Sequence, residues 1–99
     1  MKATSVFHEK HILNNRATGN VAIAELKIWK VIRSKDYPLG RKYPLFLVAD
    51  GHILLGIDNH KPKGSHLHLG NRELPYLYRN ERSLLADFWE FARKAGFEP

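Results

Sequence analysis

The sequence of 99 residues contains no cysteine, and this absence excludes several kinds of chemistry. Disulfide scaffolds, thiolate zinc sites and cysteine nucleophiles all require the missing side chain. Long apolar runs are also lacking, since the longest, from Leu45 to Ala49, is far shorter than the roughly 20 residues that span a bilayer. The N-terminus has no apolar segment typical of a signal peptide, so we expect a cytoplasmic protein with no membrane association.

Acidic residues are in the minority, with ten Asp and Glu against sixteen Lys and Arg, which leaves a formal charge of +6. Clustered cations attract polyanions and release their counterions, so this balance favours nucleic acid or an acidic protein surface as the partner. The length is typical of one domain, and we expect residues 1–99 to form a single one.

Most of the chain predicts β-strands separated by turns. The longest strand, Val21 to Ile32, alternates apolar and polar residues and predicts a bulge or an irregular end near Trp29. Asp50-Gly51 lies between two apolar runs, which is typical of a two-residue hairpin. The predicted strands cover residues 3–13, 21–32, 43–49, 52–57 and 74–78.

One helix is predicted at the C-terminal end. Asn80 is a suitable N-cap, Gly96 fits the position after the last turn, and the apolar residues between them form a broad stripe. We therefore expect an α+β fold, in which an antiparallel meander of about four to five strands packs against one C-terminal α-helix.

The segment from Asp58 to Arg72 departs from the strand pattern. Its proline and glycines predict irregular backbone, so we expect a loop that leaves the fourth strand. Loops on a rigid scaffold often carry reactive groups. This loop holds three of the six histidines and three cations: His60, Lys61, Lys63, His66, His68 and Arg72.

These side chains permit RNA cleavage without a metal. The 2′-hydroxyl of RNA is the nucleophile, so the protein needs a general base for it, a general acid for the 5′-oxygen and a cation for the charge on the phosphorane. Histidine suits both proton-transfer roles near neutral pH. We expect His60 and either His66 or His68 to be base and acid. Lys63 and Arg72 then stabilise the transition state, and no cofactor is required.

A metal site is an alternative that uses the same histidines. His66 and His68 share one face of an extended backbone, and with His60 they would supply three zinc ligands and an open fourth position. Asp58 would be a further ligand or would orient one of the histidines. The neighbouring lysines would repel a dication, which favours the metal-free interpretation.

A second basic group lies between residues 27 and 42. With aromatic residues interleaved, it could line a path for a phosphate backbone whose bases stack on the rings. An ordinary solvated β-ribbon with half-buried aromatics would have the same spacing. The candidate nucleic-acid-binding residues of the chain are Lys27, Lys30, Arg33, Arg41, Lys42, Tyr43 and Lys61.

The tripeptide Asp58-Asn59-His60, followed by Lys63-Gly64 and His66-Leu67-His68, resembles the TumE-like toxin family of bacterial and archaeal toxin–antitoxin systems. Weaker matches upstream extend the likeness over nearly the whole chain, from about Lys2 to Phe91. The resemblance implies a toxin that acts on RNA and a helix-turn-helix antitoxin that neutralises it. By residue match it implies functional roles for His60, Lys63, His66 and His68.

A binding module without catalysis is the third interpretation. Its basic surface would dock an acidic antitoxin or a nucleic acid, and its binding would be sensitive to salt. The predicted strand that contains Pro44 is expected to begin at an edge of the sheet or at a bulge, and the one that contains Pro75 is expected at an edge. Strands at edges could pair in a homodimer.

Overall fold

The computed structural model describes residues 3–60 and 64–99. In this part of the chain, eight strands form an antiparallel sheet in the order β7-β6-β5-β4-β2-β1-β8, with a short β3 paired to β2. The elements are β1 (Ala3–Asn15), β2 (Val21–Val31), β3 (Arg41–Lys42), β4 (Leu45–Ala49), β5 (His52–Asp58), β6 (His66–Leu69), β7 (Arg72–Pro75), α1 (Glu81–Lys94) and β8 (Phe97–Glu98).

The predicted α+β class is confirmed, but the expected four to five strands are too few. Strands β3 and β8 have two residues each, too short to show a period in the sequence. Strand β6 lies inside the segment that was expected to be a loop.

The first hairpin pairs β1 with β2 along almost their whole length. In β2, Ala22, Ala24, Leu26 and Ile28 are buried, as the alternation predicts. The irregularity expected near Trp29 lies on the opposite strand, where the register shifts between Ser5 and Phe7.

The predicted hairpin between β4 and β5 is confirmed. Ala49 pairs with His52, and the two residues between them, Asp50 and Gly51, have φ angles of 52° and 75°. A type I′ turn requires positive φ at both of its central residues, and this requirement explains the Asp-Gly pair.

The helix begins and ends where its caps predict. Asn80 accepts a hydrogen bond from the backbone N–H of Ser83 across 2.8 Å, and α1 ends before Gly96, whose φ is 96°. Among the described residues, no helix has the length and apolar composition needed to cross a membrane.

The helix covers one face of the sheet, which we call the inner face. Leu84, Phe88 and Ala92 of α1 belong to one buried cluster with apolar residues from β1, β2, β4, β5 and β6. Successive strand residues point to opposite faces, so the residues between these buried ones lie on the outer face. In the later strands the outer face includes Phe46, Gly56, Asp58, His66 and His68.

Candidate active site on the outer face of the sheet

The pairing of β5 with β6 brings Asp58, His66 and His68 close together. Asp58 lies directly opposite His66, and Gly56 lies opposite His68. The intervening Ile57 and Leu67 are buried on the inner face. The prediction of a loop is therefore wrong for residues 66–69, because they form a strand that holds two histidines on the outer face.

Asp58 and His66 form an ion-pair contact with little exposure to water. The Nε2 atom of His66 is 2.8 Å from Asp58 Oδ1, and the side chains are 10% and 13% exposed. Asp58 Oδ1 also accepts a hydrogen bond from the backbone N–H of His60 across 3.2 Å. One carboxylate oxygen thus contacts two of the three histidine residues.

The second ring nitrogen of His66 faces another acceptor. Its Nδ1 atom is 2.9 Å from the carbonyl oxygen of Gly64, which can only accept a hydrogen bond. Because the other nitrogen faces a carboxylate, an imidazolium with a proton on each nitrogen satisfies both contacts. When His66 is protonated, both of its N–H groups have acceptors within hydrogen-bonding distance.

His68 packs against His66 but is held less tightly. The two rings are edge to face, with centroids 4.7 Å apart. His68 Nδ1 lies 3.7 Å from Glu73 Oε2 on the neighbouring strand β7, and the side chain is half-buried. This nitrogen is beyond hydrogen-bonding distance from the carboxylate, so His68 is better placed than His66 to exchange a proton with a ligand.

His60 is exposed beside the buried pair. It lines a cavity of about 320 Å³ together with Asp58, Lys42 and Phe46. The cavity therefore places an exposed imidazole and a lysine next to the Asp58 carboxylate.

Asn59 anchors the backbone between Asp58 and His60. Its Oδ1 accepts from the backbone N–H of Tyr43 across 3.1 Å, and its Nδ2 donates to the carbonyl of Arg41 across 2.7 Å. The amide thus ties the end of β5 to the segment between β3 and β4. The three consecutive side chains thus differ in their contacts. Asp58 contacts His66, Asn59 bonds to the backbone, and His60 lines the cavity.

The residues that could hold a metal differ from the expected set. In the described part of the chain, Asp58, His66 and His68 offer ligand atoms that lie within 4.8 Å of one another. Asp58 takes the place that was expected for His60. A dication at this position would have to replace the direct contact between Asp58 and His66.

Of the other expected catalytic residues, Arg72 lies elsewhere in the fold. Arg72 is exposed and pairs with Leu69, and this register places it on the inner side of the sheet, away from the histidines. Lys61 and Lys63 lie outside the described residues.

The second basic group is divided between the two faces. Lys27 and Lys42 are half-buried at outer-face positions, and Lys27 pairs with His8 of β1. By contrast, Lys30, Arg33 and Arg41 line a separate cavity near the start of α1. The basic residues of this group therefore lie in two places and not along one face of the sheet.

Tyr43 does not offer its ring for stacking with a base. It is only 2% exposed, it stacks on Tyr78 with ring centroids 4.9 Å apart, and its hydroxyl is bonded to Ser65. Burial raises the pKa of the Tyr43 phenol. Its position is that of a core residue.

Of the three histidines outside residues 58–72, two contact other side chains and one is exposed. The ring of His8 donates to Glu25 across 3.0 Å, which lowers the pKa of that carboxyl. His11 packs edge to face on Trp89 of α1, with centroids 5.0 Å apart. His52 is exposed at the start of β5.

Several residues of the site carry no separate motif in the sequence. A Cβ atom on Gly56 would lie 2.7 Å from the Phe46 ring, so glycine lets that ring lie across β5 beside His68. Glu73 is found only through the pairing of β7 with β6. The alternation of His66-Leu67-His68-Leu69 is the signal that predicts this strand.

The fold and the site define a small basic α+β protein whose open sheet face carries imidazoles around a carboxylate. The profile of one family, described as Toxin TumE, matches residues 2–95. The chain belongs to the TumE toxin family, which confirms the resemblance, and it is the toxin component of a toxin–antitoxin system with an antitoxin as its partner. No curated protein and no solved structure matches the chain significantly.

Proposed function

We propose that this toxin is an RNA endonuclease that works without a metal. The observation that carries the proposal is the contact of His66 with Asp58 in a basic protein, with the His68 ring packed against His66 and His60 in the adjacent cavity. RNA brings its own nucleophile, so proton transfer and positive charge are what the protein has to supply.

Two of the histidines lie on the outer face of β6, and the third, His60, lies two residues beyond the end of β5 in the cavity beside Asp58. His68 lies opposite residue 56, His66 lies opposite residue 58, and His60 follows two residues later. Alternate strand residues are spaced by about 7 Å. A phosphate above His66 would therefore have His68 on one side and His60 on the other, as an in-line displacement requires of its base and acid.

The proposed step is an internal transfer at phosphorus. One histidine, His60 or His68, takes the proton of the 2′-hydroxyl while the O2′–P bond forms. The P–O5′ bond breaks, and the other histidine gives its proton to O5′. The products are a 2′,3′-cyclic phosphate and a free 5′-hydroxyl.

We assign stabilisation of the negative charge on the phosphorane to protonated His66. Lys63 is proposed as a second cation on the grounds of the sequence motif. Because Arg72 lies on the inner side, it has no part in this step. Lys27 and Lys42 are the proposed contacts for the RNA backbone on the outer face, since both occupy positions on that face.

Cleavage assays on single-stranded RNA test the proposal. His60→Ala and His68→Ala should each lower kcat by about 10²- to 10⁴-fold, because each removes one proton-transfer group. His52→Ala is the matched control, an exposed histidine at the other end of β5, and should cleave like the original protein. Products should carry cyclic phosphates, and cleavage should persist in EDTA.

Other outcomes would overturn the catalytic role. If the protein leaves RNA intact with and without metal ions, or if both histidine variants keep full activity, the site does not cut RNA by acid–base chemistry. Growth arrest that persists in these variants would favour a binding module without catalysis. The helix-turn-helix class of the antitoxin is also a proposal, which the sequence of the adjacent gene tests.

Metal-dependent hydrolysis is the second candidate, favoured by the proximity of Asp58, His66 and His68. Elemental analysis of untagged protein distinguishes it from the first. About one metal ion per chain, lost in Asp58→Asn, together with activity abolished by EDTA, would support it. Less than about 0.2 ion per chain with activity retained in EDTA would exclude it.

A further inference from the structure

A second basic cavity lies apart from the histidines, where β2 ends and α1 begins. It has a volume of about 560 Å³, and its lining includes Lys30, Arg33, Arg41 and Arg79. The one carboxylate in the lining, Glu81, is paired with Arg41 across 2.7 Å. Four cations against one carboxylate make this concave surface strongly positive, and such a surface concentrates anions.

Three of these cations are available to a ligand. Within residues 3–60 and 64–99, Lys30 and Arg33 make no ion pair. Arg79 is 60% exposed and reaches Asp87 only at 3.6 Å. Guanidinium groups bind phosphate oxygens through paired N–H donors, so two available arginines favour phosphate as the ligand.

The wall of the cavity is held in place by its backbone. Gly40 accepts a hydrogen bond from the N–H of Val31 across 3.0 Å, and its φ is 67°. A Cβ at this position would lie 3.1 Å from the Val31 carbonyl oxygen, so glycine allows the two segments to close. Arg41 follows directly, with its Nη1 donating to Gly40 O and its Nε donating to Glu81.

The basic cavity is connected to the candidate active site. A smaller cavity of about 130 Å³ shares Arg41 and Tyr78 with it and is also lined by Asn59 and Ser65. Asn59 in turn lines the cavity of His60 and Asp58. Neighbouring cavities thus share wall residues from the arginines to His60.

We propose that the basic cavity binds a phosphate of the RNA strand that is cut at the histidines, at least one nucleotide away from the scissile bond. This proposal rests on the proposed function and names a second subsite for the same substrate. The connection to His60 favours RNA over an acidic segment of the antitoxin, which remains an outcome of the test. Arg79, which the sequence motifs did not indicate, becomes part of the substrate site.

Binding is measured first, with a fluorescent 2′-O-methyl RNA of about 12 nucleotides that cannot be cut. Arg33→Ala/Arg79→Ala should raise Kd about tenfold or more and reduce the slope of log K against log salt by about 0.7, since one phosphate of a single strand is no longer neutralised. The matched control is Arg16→Ala/Arg93→Ala, which removes two arginines near the other end of α1. It should change Kd less than twofold.

Cleavage then locates the contact along the substrate. A dinucleotide has a single phosphate, so it cannot occupy the second subsite. Arg33→Ala/Arg79→Ala should lower kcat/KM about tenfold for the long RNA, mainly by raising its KM, and should leave kcat/KM for the dinucleotide unchanged. The ratio of the two kcat/KM values should therefore fall about tenfold. Arg33→Lys/Arg79→Lys, which keeps the charge, should recover part of this ratio.

The two proposals fail in different ways. If the unaltered protein cuts no RNA, the proposed function fails, while the binding measurement still decides the subsite. If the arginine variant and the control bind RNA equally, the subsite is overturned. If the arginine variant binds RNA normally but no longer binds the antitoxin, the cavity is a protein-binding site instead.

Discussion

Asp58 organises the candidate site more than any single histidine does. Its Oδ1 atom accepts from the His60 backbone and contacts His66 Nε2, and His66 in turn packs against His68. A change at Asp58 therefore alters the surroundings of all three imidazoles. Its role is one of positioning and charge, and it is distinct from the proton transfers that we assign to His60 and His68.

Asp58→Asn tests this role at the level of one atom pair. The free energy of unfolding should fall by about 1–3 kcal/mol, because the imidazolium loses its counter-charge where little water replaces it. Urea denaturation measures the change. A double-mutant cycle with His66→Gln should give a coupling energy of about 0.5–3 kcal/mol, and a coupling near zero would show that the ion pair contributes nothing.

The sequence was sufficient to single out these residues but not their contacts. Asp58-Asn59-His60 and His66-Leu67-His68 are conspicuous by composition, and the family match covers both. The 2.8 Å contact between Asp58 and His66 depends on strand register, and register is set by pairing that no local pattern in this segment specifies.

At the scale of elements, two signals conflict within residues 58–72, and the prediction of a loop followed only the turn signals. Proline and glycine favoured a loop, whereas His66-Leu67-His68-Leu69 has the period of a strand. Leu67 is buried and Gly70, with a φ of 59°, occupies the turn to β7, so alternation was the better signal. By contrast, the β4–β5 hairpin and α1 were predictable, since turn and cap residues there agree with the apolar pattern.

Strand β5 carries a packing requirement at Gly56. Because an added Cβ would lie 2.7 Å from the Phe46 ring, Gly56→Ala should lower the free energy of unfolding by about 1–3 kcal/mol and displace the ring from beside His68. Thermal or urea unfolding measures the loss, and RNA cleavage reports the displacement. Phe46→Leu in the same variant should restore part of the stability, and a Gly56→Ala protein as stable as the original would contradict this packing.

At the scale of the whole molecule, two groups among the sixteen Lys and Arg residues lie at separate places on the sheet. Lys27 and Lys42 accompany the histidines, while Lys30, Arg33 and Arg41 line the other cavity with Arg79. This division depends on β3, a two-residue strand that pairs with β2. A strand so short leaves no period in the sequence, so the division was not predictable.

Three partly or fully buried tyrosines should make the free energy of unfolding fall at alkaline pH. Burial raises the pKa of Tyr43, Tyr76 and Tyr78, and the hydrogen bond that Tyr76 donates to Asp87 raises the pKa of Tyr76 further. Unfolded tyrosines ionise near pH 10, where the folded ones keep their protons. The unfolded state then binds fewer protons, so stability is complete below about pH 10 and falls as the pH rises further.

Tyr76→Phe isolates one of these groups. At pH 8 the variant should lose about 1 kcal/mol of unfolding free energy, because the hydrogen bond to Asp87 is gone. Between about pH 10 and 11.5 its stability should decline less steeply than that of the original protein. Urea denaturation across this range measures both effects, and identical slopes would show that Tyr76 ionises alike in the two states.

The position of β6 in the chain also determines when a growing polypeptide acquires its candidate site. Asp58 and His60 leave the ribosome before their partners, and a chain interrupted before residue 66 carries neither His66 nor His68. Strand β6 must then pair with β5 before the carboxylate meets its imidazole. Translation products that end before residue 66 therefore lack the assembled site, which forms only once residues 66–69 have been made and have paired with β5.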